Sequence, residues 1–264
     1  MQTVTSTDGT TIAFWRSGTG PPLLLVHGAT ADHTTTWHLV LPDLEQHFTV
    51  VAMDRRGRGG SGDARAYDLQ REAEDAAAVI DAVGEPVNVL GHSFGALVAI
   101  EATLLTTNVR RLILYEGVPV RGADNYSPGA RDRLQRLLDA GDVEGMLIAM
   151  YRDLVEMPPE EIELLRSQHD AWARRLVNAH TLPRELEAEV SYEFRPERFG
   201  GVRTPTALLV GGDSPPRELQ NATAIARALP DADVVVLPGQ QHAAMHAAPQ
   251  DFVRAVVHAI QHAR

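Results

Sequence analysis

Short apolar runs alternate along this chain with longer segments whose apolar residues recur every three to four positions. The runs Leu23–His27, Phe48–Asp54, Val87–Gly91, Arg111–Glu116, Thr206–Gly211 and Asp233–Leu237 are rich in Val, Leu and Ile and read as buried strands. Helical patterns lie between and after them, over His33–His47, Asp68–Val83, Phe94–Thr106, Pro216–Leu229 and Pro249–His262. Alternation of this kind predicts a parallel sheet covered by helices on both faces. Gln2–Ser6 and Thr10–Arg16, separated by the turn signal Asp8-Gly9, predict antiparallel strands added at one edge.

The alternation stops between about residues 118 and 197, where no strand pattern appears. Helical patterns run instead over Ser127–Ala140, Val143–Val155, Pro159–His180 and Pro183–Val190. Pro128, Pro158-Pro159, Pro183 and Pro196 punctuate them. The pattern predicts a helical insertion between two strands of the sheet.

Composition narrows the chemistry by exclusion. The 264 residues suit one large α/β unit. No apolar run approaches the ~18 residues of a membrane helix. Met1–Gly9 is polar and lacks the layout of a signal peptide, so a cytoplasmic location is expected. Cysteine is absent, which removes disulfides, thiolate metal sites and a cysteine nucleophile. Lysine is absent too, which removes Schiff-base chemistry and a P-loop lysine. A formal charge of −11 disfavours nucleic acid and anionic membranes as partners.

Gly91-His92-Ser93-Phe94-Gly95 is a G-x-S-x-G pattern with the strand Val87–Leu90 before it and the apolar stretch Ala96–Leu105 after it. A sharp strand-to-helix turn strains the serine, exposes its Oγ, and demands small neighbours. Read more blandly, Ser93 is a helix cap on a glycine-rich turn. Of eleven histidines, His242 follows the last strand in Gly239-Gln240-Gln241-His242 and precedes the last helix. His258 and His262 fall on that helix, where a solvated face is the simpler reading. His242 and His246 stand four apart, but no carboxylate or third ligand lies near them in sequence, so no metal is expected.

Together these motifs resemble the α/β-hydrolase superfamily over nearly the whole chain. His27-Gly28-Ala29 resembles its oxyanion loop, Asp54–Ser61 the loop after the next strand, and Gly91–Gly95 the nucleophile elbow. Gly239–His242 with Pro249 and Phe252 resembles the histidine loop and closing helix. The resemblance implies an α/β-hydrolase fold with a core of residues 1–117 and 198–264 and a helical cap at 118–197. It implies Ser93 as nucleophile, His242 as base, and the backbone amides of Ala29 and Phe94 as oxyanion donors.

The acid is where the chain departs from the family pattern. The usual place is three residues past the glycine that closes the penultimate strand, which here is Ser214. Asp213 stands one position early. A second family location, the end of the strand after the nucleophile helix, carries Glu116. Asp213 is the first expectation and Glu116 the second.

Serine at the elbow excludes the aspartate-dependent dehalogenases and epoxide hydrolases of this fold. The expected reaction is acyl transfer on an ester, thioester or lactone through an acyl-enzyme, with no cofactor. The alternative is a non-hydrolytic enzyme on the same fold, an isomerase, cyclase or lyase. His27, Gly28, His92, Met245, His246 and Trp172 are the expected substrate-binding residues. The expected partners are a partly apolar small molecule and, in a homodimer, a second copy of the chain.

Overall fold

The computed structural model describes residues 1–126 and 129–261. Ser127, Pro128 and His262 of the segments expected to be helical lie outside the described residues. Eight strands form one sheet: β1 (Gln2–Thr5), β2 (Thr11–Gly18), β3 (Pro22–Val26), β4 (Thr49–Met53), β5 (Val87–His92), β6 (Val109–Tyr115), β7 (Thr206–Gly211) and β8 (Ala232–Leu237). Their order is β1-β2-β4-β3-β5-β6-β7-β8. β1 and β2 pair antiparallel, and β3 to β8 are parallel. The inner strands are buried along their whole length, which is why they read as continuous apolar runs without alternation.

The chain leaves β3 for one side of the sheet and β5 for the other. Gly28 and Ser93 therefore face each other across the crevice where the strand order reverses, the usual place for a ligand in an open α/β sheet. The helix Phe94–Ala102 that follows β5 is buried at every position. Its one charge, Glu101, is answered by the guanidinium of Arg198 at 2.7 Å and 3.0 Å and by the Tyr192 hydroxyl at 3.0 Å.

Two expected helices are broken in the structure. In the segment 33–47 only Leu41–Leu44 is α-helical. Upstream, the Asp32 carboxylate accepts from the backbone amides of Thr34 and Thr35 and from the Thr34 hydroxyl. It offers the backbone a turn in place of a helix. The segment 159–180 divides at Gln168 into Pro159–Ser167 and His169–Asn178. The helix after Ser93 also ends earlier than expected, at Ala102, where the Thr103 hydroxyl takes the Ile100 carbonyl.

The described residues of 118–197 hold helices, a π-helical turn over Met150–Val155, and an isolated bridge between Arg121 and Glu193. Met146, Leu147, Tyr151, Leu165, Trp172 and Leu186 share an apolar cluster there, apart from the two clusters that flank the sheet. Among the described residues no helix is long and apolar enough to cross a membrane.

Candidate active site

Ser93 sits at φ 56°, ψ −130°, a conformation that a non-glycine residue adopts only under constraint. Close packing supplies the constraint. A Cβ on Gly95 would lie 2.2 Å from the Val26 carbonyl oxygen, and one on Gly91 2.5 Å from that of Gly95. Gly117, at φ 80°, passes so close beneath that its Cβ would lie 2.4 Å from the Ser93 backbone. The Ser93 amide donates to the Tyr115 carbonyl at 3.0 Å.

His242 and Ser93 line one cavity, with Gly28, Ala29 and His92 on the sheet side. Two side chains from neighbouring strand ends anchor the loop that carries His242. His92 Nε2–H donates to the His242 carbonyl at 3.0 Å, and the Tyr115 hydroxyl donates to the Gln241 carbonyl. The His242 Nδ1–H donates to Oε2 of Glu116 at 2.7 Å, which leaves Nε2 as the basic nitrogen.

Of the two expected carboxylates, then, the structure brings Glu116 to His242. Asp213 is exposed, and its backbone amide is tied to the Gln240 carbonyl at 3.0 Å. Ser214, at the family's usual acid position, points its hydroxyl at Glu116 and donates to Oε1 at 2.6 Å. The Gly211 amide donates to the same oxygen at 2.9 Å. Glu116 reaches this place through a left-handed turn at φ 53°, followed by Gly117.

Protonation follows from these contacts. Burial raises the Glu116 carboxyl, but its hydrogen bond to His242, the imidazole's charge, and the donors Ser214 and Gly211 outweigh burial and leave it below the usual carboxylate range. Burial lowers His242, and Glu116 overcomes that with help from the Glu218 and Glu161 charges, so its pKa lies above that of an ordinary imidazole. Burial and the neighbouring His242 hold His92 neutral.

The other expected residues divide. Gly28, His92, Met245 and His246 line the cavity. His27 and Trp172 do not. His27 is fully buried behind the loop, donating from Nδ1 to the Gly28 carbonyl at 2.9 Å and accepting at Nε2 from the Arg55 amide at 3.2 Å. Both nitrogens are used in shaping the loop that carries Ala29. Trp172 packs in the insertion and donates to Glu144 at 3.1 Å. Its place on the wall is taken by Arg175, one turn further along the same helix, with Met150, Tyr151, Val155, Met157 and Leu165.

The reading of residues one at a time missed the buried charges behind this loop. Arg55 holds Glu72 through two nitrogens, at 3.0 Å and 2.7 Å. Its NH1 donates to the Gly28 carbonyl at 3.1 Å, and its guanidinium carbon lies 4.5 Å from the centre of the Phe94 ring. The signal available was Arg55-Arg56 at a strand end with Glu72 and Asp75 at matching spacing on one helix.

The family model described as alpha/beta hydrolase family matches residues 23–255. The chain belongs to the α/β-hydrolase family. It is 34% identical to an alpha/beta hydrolase from Sphaerobacter thermophilus, with a TM-score of 0.84 and coverage of 98% of this chain and 100% of that one. It is 27% identical over 242 residues to the "Putative carbamate hydrolase RutD" of Azorhizobium caulinodans, covering 89% of each. It is 26% identical over 264 residues to the 2-(acetamidomethylene)succinate hydrolase of Mesorhizobium japonicum, covering 92% and 89%. This α/β hydrolase is thus an enzyme, with proteins named as hydrolases among its relatives.

Proposed function

We propose that this α/β hydrolase is a serine hydrolase working through Ser93, His242 and Glu116 and an acyl-enzyme. The observation that carries the reading is the 2.7 Å bond from His242 Nδ1 to Glu116, with Nε2 left basic in the cavity that holds Ser93. Ser93 Oγ attacks the substrate carbonyl as Nε2 takes its proton. Glu116 fixes the tautomer and stabilises the imidazolium. The amides of Ala29 and Phe94 hold the oxyanion. His242 then gives the proton to the leaving group and activates water to release the acid.

Residues 118–197 act in this reading as a cap. They supply most of the apolar part of the wall, the rest coming from Ala29, Ala243 and Met245, and leave a cavity of about 40 Å³. That is small beside the ~300–1,000 Å³ of most ligand sites, so the substrate is small or the cap shifts to admit it. Esters, thioesters and lactones fit the chemistry. The carbamate and acetamido groups in the relatives' names add leaving groups on nitrogen.

Labelling with a fluorophosphonate tests the proposal. The wild-type protein should be modified once, at Ser93, and Ser93→Ala should not be modified at all. Modification elsewhere, or ester turnover by Ser93→Ala at wild-type rate, overturns it.

A further inference from the structure

The cavity over Ser93 contains a cation that the protein does not neutralise. Arg175, from the helix His169–Asn178, lines this cavity and is only 6% exposed. A guanidinium keeps its charge even when buried. The other deeply buried arginines among the described residues each have a carboxylate: Arg55 has Glu72, Arg56 has Asp75 and Asp8, and Arg58 has Glu185. Among the described residues no carboxylate and no hydrogen-bond acceptor pairs with Arg175.

A second side chain in the same wall is also unanswered. His246 is 6% exposed, and neither of its ring nitrogens has a partner. Burial, the charge of Arg175 and nearby His38 hold its pKa well below that of a free imidazole. A neutral imidazole still offers one N–H. The rest of the wall from the insertion includes Met150, Val155, Met157 and Leu165, which offer an anion nothing and shield it from water.

An unpaired buried cation is costly to the free protein, and an anion arriving with the ligand removes that cost. We propose that Arg175, supported by the N–H of His246, binds a carboxylate carried by the substrate. The natural substrates are then small acyl compounds bearing a free carboxylate apart from the carbonyl that Ser93 attacks. A single planar fork in a small cavity suits a carboxylate better than a phosphate, whose further oxygens would need further donors. The inference rests on the serine-hydrolase reading only for the identity of the attacked carbonyl.

The test compares monoethyl malonate, succinate and glutarate with neutral ethyl esters of matching shape, ethyl 4-methylpentanoate being the partner of the succinate. For at least one acid the wild-type kcat/KM should exceed that of its neutral partner more than tenfold. Arg175→Met should lower that ratio at least tenfold, chiefly through KM. A wild-type ratio at or below one for all three pairs, or a ratio that Arg175→Met leaves unchanged, overturns the proposal. If Arg175→Met does not fold, calorimetry on Ser93→Ala decides: the half-ester should bind and its neutral partner should bind at least tenfold more weakly. Equal binding overturns the anion site. Calorimetry needs no turnover, so a loss of the anion preference is read separately from failure of fluorophosphonate labelling at Ser93.

Discussion

His242 Nδ1 lies 2.7 Å from Oε2 of Glu116, a residue 126 positions earlier in the chain and at the end of a different strand from the one that usually carries a triad acid. The consequence is tested by two substitutions. Glu116→Gln keeps the shape but removes the charge and can present its amide to Nδ1, stabilising the wrong tautomer. It should lower kcat by about a thousandfold or more. Asp213→Asn should stay within a few-fold of wild type, because Asp213 is exposed and its backbone makes the local contact. Steady-state kinetics on one ester check both. A severe Asp213→Asn beside a mild Glu116→Gln would reverse the assignment.

The pH profile follows from the same pair. The proposed mechanism needs neutral His242, so kcat/KM should fall as pH drops through the pKa of this imidazole. Glu116 raises that pKa above the ordinary value, so the acid limb of the wild-type profile should lie above about 6.5. In Glu116→Gln the main raising influence is gone while burial remains, so the pKa falls, although Glu218 and Glu161 still raise it. The residual activity should therefore show its acid limb at lower pH. A limb that stays in place or moves upward would mean that Glu116 does not set the protonation of His242.

Backbone strain at Ser93 should appear as stability. Holding a serine at φ 56°, ψ −130° costs on the order of 1–3 kcal/mol, which glycine largely avoids, although glycine also gives the unfolded chain more freedom. Ser93→Gly should be inactive and more stable than Ser93→Ala by about 1 kcal/mol in urea unfolding. Equal stability of the two variants would show that the turn is relaxed.

Strands and motifs stood out in the sequence because both depend on local order. Thr206–Gly211 has the bounds its apolar run predicts, and the others lie within a residue or two. Ser93 could be placed because it directly follows β5, and His242 because it lies in the short loop between β8 and the last helix. The acid could not be settled from sequence, since two distant parts of the chain meet there: Glu116 is joined by Gly211 and Ser214 only after β6 and β7 have paired. Ser214 occupies the place where an aspartate is usual, and its hydroxyl holds the Glu116 carboxylate, the acid of the proposed triad. Trp172 is expected on the wall, but it packs in the insertion's own apolar cluster, and Arg175, one turn further along the same face of the helix, lines the cavity instead. The segment after Asp32 looked helical by periodicity because that reading takes no account of an aspartate capturing the backbone amides that follow it.

The last prediction concerns how the insertion is fastened to the sheet domain. Glu185, in the helix Leu182–Val190, is 1% exposed and sits between two arginines that follow β4: Arg58, to which it is hydrogen bonded, and Arg55 at 3.2 Å. Burial raises its carboxyl, and the charges of Arg58 and Arg55 outweigh that and hold its pKa below the usual range. Glu185→Ala would leave Arg58 buried without its carboxylate and Arg55 with Glu72 alone. Removing one partner of a buried ion pair typically costs about 3–5 kcal/mol. Glu187, two positions on in the same helix, pairs with Arg131 at 2.8 Å, but both side chains are about half exposed. Glu187→Ala should therefore cost less than about 1 kcal/mol. Urea unfolding of the two variants gives the comparison directly. Arg55 also carries the Gly28 carbonyl and lies over Phe94, so Glu185→Ala should slow ester turnover as well, by loosening the loop that presents the Ala29 amide. Equal stability losses for Glu185→Ala and Glu187→Ala would show that burial of the pair does not fasten the insertion to the sheet.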